Sequence, residues 1–207
     1  MGRRQAVMAG IAALLFFMCR IGPLGATQLS GEELLNALKT GGYVIYLRHG
    51  MTDTSRADAD PISVKDCSTQ RPLSDLGRAQ ASKIGGAIRA LGIHIDHVFS
   101  SPYCRAVETA ALAFPEIDKK SVDALFYSLA MSKEDATHAA EEVKKMLARQ
   151  PKDGENTVLV GHTSNLKEAA GTWPKKEGGA VVFRPDGKGS FALIGVIEPT
   201  DFEKAGS

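Results

Sequence analysis

The chain of 207 residues is 43% hydrophobic and 24% charged, a globular balance that excludes a disordered tail or a fibrous repeat. A formal net charge of +1 and only 6% aromatic residues offer neither a basic stripe nor a base-stacking platform, so nucleic acid is not expected as a partner.

Residues 1–26 read as a secretory signal. Arg3 and Arg4 precede an uninterrupted small and apolar run from Ala6 to Met18, and Gly22-Pro23-Leu24-Gly25-Ala26 breaks the helix ahead of a small residue, so cleavage is expected after Ala26. The run is shorter than the roughly 20 residues that span a bilayer; an uncleaved anchor is the alternative, and no membrane span is expected after cleavage. Losing Arg3, Arg4 and Arg20 leaves 22 basic against 24 acidic residues, a net charge of −2, and losing Cys19 leaves Cys67 and Cys104. In an exported, periplasmic or secreted chain these two suggest a disulfide, with two unrelated thiols as the other reading. Residues 27–207 are expected to form one domain.

Ser30 with Glu33 forms a capping box that opens a short helix bearing Leu34, Leu35 and Leu38. Gly41-Gly42 ends it, and 43–47 is a buried strand. The polar stretch 51–71, with Asp53, Asp58, Asp60 and Asp66, reads as a long loop, a feature that in a compact domain is usually functional. Ser74 caps a second helix with Ile84, Ala87, Ile88 and Leu91 at helical spacing, ended by Gly92. A strand follows at 97–100, and Ser101-Pro102 predicts a helix start with Pro at the first helical position. A weaker strand is expected at 122–125, a long helix from Ser132 to about Gln150 before Pro151, and a buried strand at 157–160. Segments 180–184 and 190–197, joined through Pro185-Asp186-Gly187-Lys188-Gly189, read as a hairpin. This alternation predicts a three-layer α/β/α sandwich with a mostly parallel sheet and an antiparallel edge hairpin.

Ligands of such sheets sit beyond the carboxyl ends of the strands. That rule gathers Arg48, His49, Arg105 and His162 on one rim. Two guanidiniums beside two imidazoles suit a tetrahedral dianion, because arginine presents paired donors to phosphate oxygens. Histidine among cations keeps its unprotonated nitrogen available as a nucleophile. Gly50 is expected to let a phosphoryl group approach the backbone, and a helix starting near Ser101 to add N–H donors.

Leu47-Arg48-His49-Gly50 followed by Thr52 resembles the RHG signature of the histidine phosphatase superfamily, the phosphoglycerate mutase-like family. Three stretches resemble its further motifs in order: 72–81 (PLSDLGRAQA), 100–110 (SSPYCRAVETA) and Val160-Gly161-His162. The resemblance implies a phosphohistidine at His49, with Arg48, Arg105 and His162 binding the phosphoryl oxygens. It implies hydrolysis of a phosphomonoester or related phosphoryl compound with no cofactor or metal; for an exported chain a small-molecule or envelope substrate is expected, and the sequence points to no specific protein partner. Asn165 is expected to line the substrate side, and Ser55 stands where many relatives carry a phosphate-contacting asparagine.

The general acid departs from the family pattern. Relatives carry a glutamate after the third strand, or an acid directly after the second histidine. Here Leu125 is followed by Phe126 and Tyr127, and His162 by Thr163-Ser164-Asn165. This resembles the short phosphohistidine-phosphatase branch. Asp53 and Glu108 are the substitutes that the motifs offer, against a solvated loop Asp and a helix-surface Glu. A catalytically weak phosphate-ligand binding protein on the same fold is the alternative function, and glycolytic mutase activity is not expected. His94-Ile95-Asp96-His97 matches only the latter half of a zinc motif, with Gly92 where the first His is needed.

Overall fold

The computed structural model describes residues 28–206; the leader, its cleavage point and Cys19 lie outside the described residues. The described residues form one mixed sheet between two helical layers. In chain order the elements are α1 (Gly31–Leu38), β1 (Val44–Arg48), α2 (Asp75–Ala90), β2 (Ile95–Ser100), α3 (Cys104–Ala113), β3 (Lys119–Ser121), α4 (Lys133–Leu147), β4 (Asn156–Gly161), α5 (Thr163–Ala170), β5 (Ala180–Pro185), β6 (Phe191–Ile197) and α6 (Pro199–Ala205). The strand order is β3-β2-β4-β1-β5-β6. The first four run parallel, while β5 pairs antiparallel with both β1 and β6.

Successive strand residues point to opposite faces, and here both faces are covered, which is why β1 and β4 read as unbroken apolar runs. Ile45, Leu47, Val158, Val160 and Val182 pack with Leu34, Ile84, Ile88 and Phe202 in one core. Val44, Tyr46, Leu159, Val181 and Phe183 pack with Val143, Leu147 and Leu166 in the other. Each large aliphatic side chain buried this way stabilises by about 1.5–3 kcal/mol.

The predicted caps at Ser30, Ser74 and Ser132 each accept the backbone N–H three residues on. Other boundaries differ. The helix expected at Ser101-Pro102 begins at Cys104, with Tyr103 as its cap residue. The Ser101 hydroxyl accepts Tyr103 N–H at 3.3 Å, two residues on, and lies 2.9 Å from His162 Nε2. The strand expected at 122–125 lies instead at Lys119–Ser121, and Asp123–Leu125 is a 3-10 turn. Helix α4 stops at Leu147, short of Gln150. Helices α5 and α6 were not anticipated. Among the described residues no helix is long and apolar enough to cross a membrane.

Candidate active site

Strands β1, β2 and β4 end together: Arg48 is in register with Gly161, and Ser100 with Val160. A cavity of about 760 Å³ opens beyond these ends, and Arg48, His49, Arg105 and His162 all line it. The two imidazoles are almost fully buried, with ring centroids 5.2 Å apart in an edge arrangement.

His49 is held by its own chain. Its Nδ1 lies 2.9 Å from the carbonyl oxygen of Gly50. A carbonyl only accepts, so Nδ1 carries the hydrogen and Nε2 keeps its lone pair. Burial, then the charge of Arg105, push the His49 pKa down to about 3 despite the Gly50 bond. Burial and the neighbouring His49, Arg105 and Arg48 hold His162 well below the ordinary histidine range. Both rings are therefore neutral at pH 7, and the 4.0 Å approach of Glu177 to His49 Nδ1 is not an ion pair.

The segment after His49 is clamped to α2 and α3, which explains two of the motifs. Gly50 N–H donates to the Thr109 hydroxyl at 2.9 Å, and that hydroxyl donates to Arg105 O at 2.6 Å. Gln80 accepts from Met51 N–H at 3.1 Å and donates to Glu177 O at 3.1 Å. Gly50 has a different role from the one expected. A Cβ there would lie 2.8 Å from Gly77 O, so the missing side chain admits helix α2 rather than a phosphoryl group. Of the N–H groups expected at the start of α3, that of Cys104 is engaged, donating to Gln70 Oε1 at 2.8 Å. The helix that borders the cavity with its first turn is α5, through Thr163 and Ser164.

Cations dominate the cavity floor. Arg48 donates from Nη1 to Lys175 O at 2.8 Å and lies 3.5 Å from Glu177, while Arg105 donates from Nη1 to Asp58 at 2.9 Å. The Arg105 guanidinium also lies 4.5 Å from the Tyr103 ring centre. A third guanidinium, Arg71, lines the same wall. Nε of Arg48, Arg71 and Arg105 and Nδ1 of His162 are all buried without a protein partner. Orphaned donors of this kind cost free energy unless a ligand satisfies them, and four of them around one cavity suit a multi-oxygen anion.

The remaining sequence candidates lie elsewhere. Ser55 is exposed and donates to Asp53 at 2.7 Å, so it serves its own turn rather than the cavity wall. Asn165 is buried beneath the site and donates to Phe126 O at 2.5 Å, holding the turn before Tyr127 rather than lining the cavity. Cys67 and Cys104 are joined by a disulfide, which ties the long loop to the start of α3. His97 pairs with Asp96 at 3.1 Å and His94 is exposed. Three residues escaped the sequence reading. Arg71 and Asp58 carry no local motif, and Glu177 approaches from the β5 side; Arg71 directly before the 72–81 motif was the one visible hint.

The site gathers guanidiniums around a neutral histidine whose Nδ1 faces the Gly50 carbonyl. The family model described as histidine phosphatase superfamily (branch 1) matches residues 44–126. That match covers less than half of the chain, whose sheet and hairpin are those of the phosphoglycerate mutase-like fold. A curated relative, the mitochondrial serine/threonine-protein phosphatase Pgam5 of Drosophila virilis, is 35% identical over 80 residues, covering 39% of this chain and 25% of that protein. The match therefore spans about a quarter of that relative's length. The protein histidine phosphatase SixA, solved with tungstate, superposes with a TM-score of 0.52 at 14% identity, over 77% of this chain and 98% of that one. Phosphoserine phosphatase from Entamoeba histolytica, solved with 3-phosphoglyceric acid, gives 0.54 at 16% identity, over 77% and 98%.

Proposed function

We propose that this chain is a phosphatase that hydrolyses a phosphomonoester, or a related phosphoryl compound, through a phosphohistidine at His49 and without a metal cofactor. The observation that carries this reading is the His49 Nδ1 contact with Gly50 O, which leaves Nε2 unprotonated inside a cavity lined by three guanidiniums. In the first step Nε2 forms a bond to phosphorus as the bond from phosphorus to the leaving oxygen breaks. In the second, water attacks phosphorus, the P–N bond breaks, and inorganic phosphate leaves with His49 again neutral. Arg48 and Arg105 hold the equatorial oxygens, where charge builds up in the transition state. With the Ser101 hydroxyl donating to His162 Nε2, Nδ1 of His162 carries its hydrogen and donates to a phosphoryl oxygen.

The cavity runs outward to Leu129 and Trp173, both substantially exposed, which supports a leaving group with an apolar portion on a small-molecule or envelope substrate. The disulfide and the leader-like residues 1–26 support action in an oxidising compartment such as the periplasm. The test is hydrolysis of an aryl phosphate, with and without chelator, by the purified protein and by His49→Ala. Chelator-resistant turnover that falls by about 10³-fold or more in the variant is expected, together with ³²P trapped on the wild-type protein alone. Equal turnover by the two proteins sinks the reading.

A further inference from the structure

The two steps above leave the leaving group without a proton donor. The acids next to the motifs are engaged elsewhere: Asp53 accepts from Ser55, and Glu108 pairs with Arg78 at 2.7 Å. Glu177 holds Thr52 and Arg48 behind the nucleophile and does not line the cavity. Two carboxylates do line it, Asp58 and Glu168. Glu168 is exposed and accepts from the Ser128 hydroxyl at 3.0 Å.

Asp58 stands against the guanidinium that the phosphoryl group would use. Its two oxygens lie 2.9 and 3.3 Å from Arg105 Nη1, and Oδ1 also accepts Arg71 N–H at 2.8 Å. The Arg105 side chain is only 2% exposed, and its Nε has no partner. One planar cation thus has Asp58 on one nitrogen and an open donor on another. A phosphoryl oxygen taken by Nε would share that cation with the carboxylate. Two anions gathered on one buried cation repel unless a proton lies between them. The disulfide and Gln70, which accepts from Cys104 N–H, fix the loop carrying Asp58, so the carboxylate does not simply swing away.

We infer that Asp58 is the acid and base of the reaction, an inference that rests on the phosphohistidine reading. As Nε2–P forms and P–O breaks, the Asp58 carboxyl proton passes to the leaving oxygen, releasing a neutral alcohol. As water then attacks and P–Nε2 breaks, the Asp58 carboxylate takes the water proton, so the enzyme returns unchanged with one water consumed.

The experiment compares kcat/KM for p-nitrophenyl phosphate and glycerol phosphate in the wild type, Asp58→Asn, Asp58→Glu and His49→Ala. Asparagine keeps an acceptor for Arg71 N–H, so aryl turnover serves as the control for an intact fold. The expected result is a loss of about 10²- to 10⁴-fold on the alkyl ester in Asp58→Asn, under tenfold on the aryl ester, and partial recovery of the alkyl rate in Asp58→Glu. Equal losses on both esters mean that Asp58 only positions Arg105, and they overturn the inference. A wild type as selective for the aryl ester as Asp58→Asn also overturns it. If His49→Ala matches the wild type on the aryl ester, the phosphatase reading itself falls.

Discussion

The hydroxyl of Tyr46 grips the backbone of His162 twice, donating to its carbonyl at 2.9 Å and accepting its N–H at 3.1 Å. Burial pushes the Tyr46 pKa up, so the phenol keeps its hydrogen. This grip sets where the second histidine leaves β4, and it explains the glycine before it. A Cβ on Gly161 would lie 2.2 Å from the Tyr46 hydroxyl. Gly161→Ala is expected to cost about 1–3 kcal/mol by overpacking, and Tyr46→Phe a similar amount through the two unpaired groups. Because the two changes meet at one atom, the double variant should cost less than the sum. Additive losses in urea unfolding would show that the contact does not couple them.

Stability should fall with acid because of the site histidines. The unfolded imidazole of His49 takes its proton near pH 6.5, whereas the folded one takes it near 3. Between those values the unfolded chain binds more protons, so unfolding free energy rises with pH. The contribution is complete above about pH 6.5 and is lost as pH falls toward 3. His162, also lowered, adds in the same direction. Urea unfolding at a series of pH values should give a shallower slope for His49→Asn than for the wild type. A slope unchanged by the substitution would contradict a neutral buried His49.

Arg71 is expected to act as a third anion ligand, since its Nε is buried without a partner beside Arg48 and Arg105. A charge-assisted hydrogen bond contributes about 1.5–3 kcal/mol. Arg71→Met should therefore weaken tungstate binding by about 10- to 100-fold in calorimetry, while leaving the melting temperature nearly unchanged. Undiminished tungstate affinity would remove Arg71 from the pocket's working set.

The disulfide joins residues 37 apart in sequence. Closing a loop of that size stabilises by about 3–4 kcal/mol. Reductant should lower the melting temperature of the wild type and leave Cys67→Ser/Cys104→Ser unaffected. Because Cys104 adjoins Arg105, and Gln70 and Arg71 belong to the bridged loop, KM should rise on reduction. A KM indifferent to reductant would confine the bridge to stability.

What could be read from sequence was what is local. Ser30, Ser74 and Ser132 act within one helical turn, so their caps were legible. His49, Arg48, Arg105 and His162 were legible because each sits at or just beyond a strand end, in a short motif. Ser101 misled because the helix starts only at Cys104: the Ser101 hydroxyl accepts Tyr103 N–H, ahead of the first turn, and also reaches a distant imidazole. The role of Gly50 was misplaced because Gly77, from another helix, fills the space. Asp58 and Arg71 were hidden because Asp58 pairs with Arg105 from across the fold and Arg71 reaches the cavity wall without a motif of its own. Helix α6 carried an unread signal in Pro199 at its first turn with Asp201 answering the cap residue Glu198.

The strand order separates what is recognisable from what can fold. Strand β4 lies between β1 and β2, and among the described residues no other strand joins those two. A fragment covering 44–121 holds β1, β2 and β3 and three of the four residues gathered at the strand ends, yet its two longer strands have no common neighbour to pair through. The motif-rich first half of the domain is thus not a self-sufficient unit. The pocket is complete only when β4 is inserted, so during synthesis His49 meets His162 only after most of the chain has emerged.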